Sequence, residues 1–501
     1  MPTAPGVYTT VTTAAPSKST NKATGTWFVT GLTGAGPTGV AVPITSLTDY
    51  TNYLGARVTY GMLYDALDEY FHDGGVLAYV SRVVGPAAAK ASKILQDRAG
   101  SPLNTLTLTA VGEGIWGNNL SVTVANGTAS NSYTLTILNN GVAMYTTPNL
   151  FSPADAVTVI NAMSPWIGLV AVTNNNSATA APNNNPATGT FTLTAGADDN
   201  SNAAEANWTT ALNVFQTGNL GPGQISAVGR TTSASYQNVT NHALAFNRVA
   251  ILDVADSGTA STLVTQAQNV QTGGAAATDP SYAGLFAPWI LIPGINSTNP
   301  GSTSPIPNRL VPPSALAAAL MARNDSKKDA NNPAAGINGQ STYVIGTTQS
   351  YNSVDSGTLN AAGVNVIKNV FGTYELYGYR SLALDPNWVY LNNVRMRMQM
   401  IYDFDVIGES YVFSQIDGTG HVFAAFGGDL TGKCAQYWTN GSLFGAQPNL
   451  AFSVNTGPQV NTAATIALNQ IAAVVTAKLS PFGETVNINV VKYLTSQNLP
   501  S

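Results

Sequence analysis

The chain has 501 residues, of which 20 are Lys or Arg and 25 are Asp or Glu, so charged side chains make up 9% of it where soluble proteins carry about 25%. At roughly 150 residues per domain this length suits about three domains with ordinary cores. A net charge of -5 with so few cations excludes a phosphate-tracking nucleic-acid surface, which needs clustered Lys and Arg. A 44% hydrophobic content with 21 Tyr, 15 Phe and 7 Trp excludes disorder, while 47 Gly and 27 Pro predict many turns. The single cysteine, Cys434, rules out an intrachain disulfide and a multi-cysteine zinc site, and reads as a buried small apolar side chain. The opening Met1–Gly6 lacks the basic and apolar regions of a secretory signal, and no run of about 18 apolar residues predicts a membrane span. Scarce charge in a large folded chain predicts that much of its surface meets protein, because charges are depleted at interface centres. A Thr/Asn-rich composition alone accounts for the same scarcity.

Residues 1–24 are mostly Thr, Ala, Ser and Pro with Val7, Tyr8 and Val11 as β-formers, and read as an extended arm. Trp27-Phe28-Val29, a helical pattern through Leu63, Leu67 and Tyr70 ending at Gly74-Gly75, and Val76–Val80 give strand, helix, strand over 25–100. Across 101–195 the apolar period is two, in Leu106–Thr109, Leu120–Val124 and Tyr133–Leu138, with Asn139-Asn140-Gly141 predicting a hairpin. Ile225–Val228, a helix near Val239–Phe246 and Val249–Asp253 restore β-α-β order over 196–345, where Ser314 is expected to cap a short helix over Leu316–Met321 and 324–340 to be loop. The stretch 346–483 reads as helix, strand, a long helix over about 389–415, a further helix and a last helix over Thr462–Leu479. Residues 484–501 hold a terminal strand with Val486, Ile488 and Val490 on one face, which needs a sheet edge to join.

Catalytic signals are sparse. His72, His242 and His421 lack metal-ligand spacing. Asp403 and Asp405 would sit about 200° apart around a helix, Asp198-Asp199 reads as a turn, and Asp253 at a strand end reads as a turn-forming or helix-capping residue more readily than as a crevice ligand. Gly427–Lys433 contains half of a phosphate loop, but Cys434 stands where a Mg²⁺-ligating hydroxyl is needed, so the plainer reading is a Gly-rich turn or helix start. No catalytic, cofactor-binding or metal residue is assigned, and no cofactor is expected.

A series of motifs, taken in order, resembles the contractile bacteriophage tail sheath protein family: Pro5-Gly6-Val7-Tyr8 in the arm, Val42–Ser46, the helix-to-strand run Tyr70–Arg82 around Gly74-Gly75, and Gly114–Leu120 opening the β-rich part. Pro288-Trp289, Val311–Ser314 with Ala315 in place of the family's glycine, Met321–Asp325, Leu359–Asn365, Gly378–Ser381, Asn393–Arg397 and Gly441–Gly445 continue the series. The resemblance implies a multidomain α/β (α+β) fold: an α/β sheath core, an inserted β-rich module, and extended N- and C-terminal β-arms; the module is expected on the sheath exterior, because insertions are best tolerated away from a packed lattice. It implies a virion tail subunit assembled in the host cytoplasm. Such subunits form hexameric rings stacked around a tail tube protein, meet baseplate and tail terminator proteins, and contract to drive the tube through the host envelope. No nucleic acid or membrane insertion is expected.

Gly6, Val7, Tyr8, Val11, Val486, Ile488 and Val490 are the expected arm contacts with neighbouring subunits. Arg395 and Arg397 either touch tube or neighbour or pair within the chain with Asp403 or Asp405. A non-contractile virion or surface-layer shell protein shares the composition and arms, and the enzymatic alternative is a nucleotide hydrolase acting through Gly432 and Lys433 or a carbohydrate-active protein using the aromatics of the β-rich module.

Overall fold

The computed structural model describes residues 23–274, 277–298, 305–489 and 492, and the chain forms two compact units that divide between Asp403 and Phe404. The first unit is built on an eight-stranded sheet ordered Val42–Ile44, Ala78–Val83, Trp27–Leu32, Gly223–Ala227, Arg248–Asp253, Ala283–Ala287, Val364–Val370, Thr373–Leu376. The six inner strands pair in parallel and the outermost strand on each side is antiparallel. Parallel neighbours need crossovers, and helices Ser233–Ala245, Ala260–Gln271 and Pro313–Lys327 lie between them in sequence. With both faces covered, Gly223–Ala227, Arg248–Asp253 and Ala283–Ala287 are buried along their whole length. Alternation sends Trp27, Val29, Val249 and Ile251 into a core with Leu63, Leu67 and Tyr70, and Phe28, Ala250 and Leu252 into a second core with Phe215, Tyr236 and Leu263. Both sheet edges are guarded: Pro43 on one has no N–H to donate, and on the other the Ser341 N–H donates to the Tyr374 carbonyl at 2.8 Å. The turn into strand Ala78–Val83 needs its two glycines. Gly74 has φ +108°, and a Cβ on Gly75 would lie 2.3 Å from the Tyr70 ring.

After Val83 the chain leaves this sheet and rejoins it at Gly223. Between them, Ser92–Gln96, Asn104–Ala110 and Val170–Asn174 form a three-stranded antiparallel sheet, and Gly189–Thr192, Leu120–Asn126, Tyr133–Asn139 and Val142–Thr146 a four-stranded one. Leu106, Leu108, Val122, Leu135 and Ile137 share one core. Strand Ser92–Gln96 belongs to these sheets although it precedes the expected boundary at 101. Asn140 and Gly141, at φ +50° and +78°, make the expected two-residue hairpin turn. Both crossings to the large sheet are pinned. Arg82 donates to the Glu113 carbonyl at 2.5 Å, Ile115 N–H to Asp198 at 3.1 Å and Ala87 N–H to Asp199 at 2.8 Å.

Other expectations shift. Helix Pro313–Lys327 is longer than the expected Leu316–Met321 and takes in 324–327; it opens on Pro312-Pro313, with Ser314 inside its first turn and not at the cap. The Ser314 N–H and hydroxyl donate to Asp253 at 2.8 and 2.9 Å, as does the Gly229 N–H at 2.9 Å. Asp253 therefore serves the helix start from a strand end; burial pushes its carboxyl up to about 6 against these three bonds. Strand Val364–Val370 belongs to the large sheet, so the region expected to begin a separate domain at 346 stays with the first unit as far as Asp403.

Arg395 is fully buried. Its guanidinium forks onto Asp325 at 3.0 and 2.6 Å and also reaches Tyr379 Oη at 3.1 Å and the Thr24 carbonyl at 3.3 Å. This corrects both expectations for Arg395: its carboxylate is Asp325, and no part of the side chain is left for a tube or a neighbour. A second group of charges surrounds helix Leu63–His72. Asp65 and Asp68 are bound by Arg309 at 2.8 and 2.5 Å, Asp65 also by Arg57 at 2.7 Å, and Asp73 accepts from Ser341 and Thr342. Glu69 lies among them fully buried with no donor on either carboxylate oxygen; burial, then Asp73 and Asp68, raises its pKa well above 4.5.

The second unit contains helices His421–Thr439 and Pro448–Ala451 and an antiparallel pair, Phe452–Asn455 with Val474–Ala477. The last of these replaces most of the helix expected over Thr462–Leu479, which shrinks to Ala463–Ala467 capped by Thr462. Asn469 at φ +56° ends the turn, and Asn461 bridges the loop by binding the Thr456 and Ala472 carbonyls and the Ala472 N–H, each at 2.8 Å. Val474, Val475 and Thr476 then favour a strand.

Asp325→Asn should cost about 3–5 kcal/mol, because it leaves Arg395 buried beside a neutral amide; urea denaturation of the full chain followed by circular dichroism measures it. Glu69 holds its proton more tightly folded than unfolded, so its contribution is fully present below pH 4.5 and is lost as pH rises through its folded pKa. Glu69→Gln should therefore raise the thermal midpoint at pH 8, and the gain should shrink as the pH is lowered toward 4.5.

Candidate assembly surfaces

Of the expected arm residues, Gly6, Val7, Tyr8, Val11 and Val490 lie outside the described residues. Val486 and Ile488 are 80% and 82% exposed, and 484–489 belongs to no strand. Two apolar side chains held out in water gain nothing from the fold of their own chain. Arg397 is half-buried and engaged within its unit: its guanidinium stacks 4.1 Å from the Trp388 ring and 4.4 Å from that of Tyr282, and it donates to Ser281 Oγ at 3.2 Å. Neighbours on one helix, Arg395 is enclosed and Arg397 sits at an aromatic clamp.

The phosphate-loop-like run lies inside helix His421–Thr439, which corrects the expected turn or helix start. Amides in a helix interior are committed to carbonyls one turn back, so they cannot cradle a phosphate as a loop before a helix does. Lys433 extends its Nζ over the Tyr437 ring at 5.3 Å. His72 stacks on Tyr343, and His242 meets Arg248 at 2.8 Å; burial, then that guanidinium, pushes the His242 imidazole down to about 3 and holds it neutral. Among the described residues no three His, Cys, Asp or Glu are grouped to hold a metal ion, and no helix is long and apolar enough to cross a membrane. Cys434 is buried, and burial pushes its thiol up to about 11.

What the second unit does display is apolar surface. Tyr411, Val412, Phe413, Ile416, Phe426, Ile466 and Ile471 line an open groove of about 800 Å³, and Val406, Phe444, Leu450, Leu468 and Val474 are each more than half exposed. Contiguous apolar surface of this kind marks interaction sites. The groove was not legible in the sequence. Its walls come from residues 411–416, which follow helix Leu391–Glu409, from 466–471 at and beyond the end of helix Ala463–Ala467, and from Phe426; 411–415 was expected to belong to the long helix and 466–471 to the last one.

No family model and no curated protein matches the chain. Solved structures do. The sheath tail protein Lin1278 from Listeria innocua superposes with a TM-score of 0.59 at 12% identity, covering 87% of this chain and 89% of that one. The sheath complex of the extracellular contractile injection system PVC in its contracted state gives a TM-score of 0.55 at 14% identity, over 99% of each chain. The contracted helical sheath of the anti-feeding prophage gives 0.53 at 14% identity, over 99% of this chain and 100% of that one. Over its described residues, this chain has the fold of the contractile-tail sheath proteins.

Proposed function

We propose that the protein is the sheath subunit of a contractile tail, polymerising as stacked hexameric rings around a tube and contracting to drive that tube through a target envelope. The observation that carries this reading is the likeness to sheath subunits along essentially the whole of both chains. Exposed apolar surface in the second unit, with the side chains of Val486 and Ile488 among it, supports it. Each of those side chains would contribute about 1.5–3 kcal/mol when a neighbour covers it, before ordering costs. The terminal arms, with Gly6, Val7, Tyr8 and Val11 at one end and Val486, Ile488 and Val490 at the other, add as strands to adjacent subunits. Backbone hydrogen bonding joins the copies while the chain between arm and unit remains a tether.

Contraction in this reading draws on a lattice assembled in a metastable arrangement, whose subunits slide and rotate into a lower-energy set of contacts. The β-rich module faces outward. The virion tail is the location, with the tube, baseplate and terminator proteins as further partners.

Negative-stain electron microscopy of the purified full chain over a concentration series should show hollow tubes with a regular helical repeat. Removing residues 1–20 should abolish the tubes and leave the thermal midpoint unchanged; tubes that persist would remove the arm from the scheme. A single lattice in every condition, with the tube protein present, would favour a rigid shell.

A further inference from the structure

Among the described residues, two hairpins are closed by two residues in the left-handed conformation. In one, Asn140 and Gly141 have φ of +50° and +78°; in the other, Phe371 and Gly372 have φ of +51° and +95° between the paired Val370 and Thr373. Asn-Gly is what such a turn favours, whereas a bulky side chain at positive φ is strained. Phe371 gains nothing in return from its own chain, for its side chain is fully exposed at 105%. Neither turn chemistry nor the core accounts for a phenyl ring there.

The second unit presents the complementary feature. Phe413, also at positive φ (+64°) and fully exposed, stands at the groove lined by Tyr411, Val412, Ile416, Phe426 and Ile466. At about 800 Å³ the groove is in the size range of sites that enclose a drug-sized group, which admits a hairpin tip and its ring. An apolar knob and an apolar groove at different places on one chain make a heterologous contact, and such a contact repeats from copy to copy as a helical filament when it does not close. The charges nearby are compatible: Lys368 stands on the hairpin strand, and Asp429 is bonded to Tyr411 at the groove.

We propose that Phe371 of one copy seats in the groove beside Phe413 of the next copy, an intersubunit contact separate from the terminal arms. The proposal rests on the sheath reading for its partner. Two variants of the full chain test it. Phe371→Asn suits the turn, so the monomer's thermal midpoint should hold or rise, while loss of the ring should raise the concentration at which tubes form by about tenfold or more. A chain carrying both Phe371→Cys and Phe413→Cys should give a ladder of disulfide-linked multimers on oxidation after assembly, with each single variant remaining unlinked.

Tubes of Phe371→Asn at the wild-type concentration, or an assembled double variant with no ladder, would overturn the contact and leave the sheath reading standing. Linked dimers from a chain that never forms tubes would support the contact and remove the sheath. No tubes and no links would end both.

Discussion

The ion pair between Arg395 and Asp325 gathers four distant parts of the chain at one buried point: the Thr24 carbonyl, helix Pro313–Lys327, Tyr379 and the helix that leaves the first unit. A pair with no exposed surface must recover its desolvation through geometry, and the two-pronged fork with two further acceptors does so. It fixes where the chain enters the described part of the first unit and where it leaves. Both positions are therefore set by the interior of the fold.

The same economy extends to the other charges. Among the described residues Asp65, Asp68, Glu69, Asp73, Arg82, Asp97, Arg248, Asp253, Arg309, Asp325, Asp329, Glu375 and Arg395 are all buried. In a chain with only 45 charged residues, the surface is therefore poorer still in charge than the composition suggests. Such a surface can exchange one set of protein contacts for another without stranding unpaired ions.

The parallel core was legible because strands covered on both faces are written as continuous apolar runs, as in Val249–Leu252, and the hairpin because Asn140-Gly141 is a turn signal needing no tertiary context. Three things were hidden. The partner of Arg395 lies 70 residues away at Asp325, beyond any local pattern, so spacing favoured the nearby Asp403 and Asp405. The run 462–479 has helical spacing, but the Asn461 bridge and the β-branched run at 474–476 override it. The glycines of 427–433 signal a turn in isolation, yet Gly427 lies close under Thr456, where a Cβ would stand 2.7 Å from the Thr456 hydroxyl, and the helix continues through them.

The fastened crossings between the large sheet and the β-rich region give that region a mechanical character. A domain hung on slack linkers dissipates any push as linker motion. Here Arg82 of the large sheet holds Glu113, and on the way back Asp198 and Asp199 hold Ile115 and Ala87, so the two linkers are fastened to the region and to each other. A displacement of the region must first break these bonds, and Arg82 carries the strain directly into a strand of the large sheet.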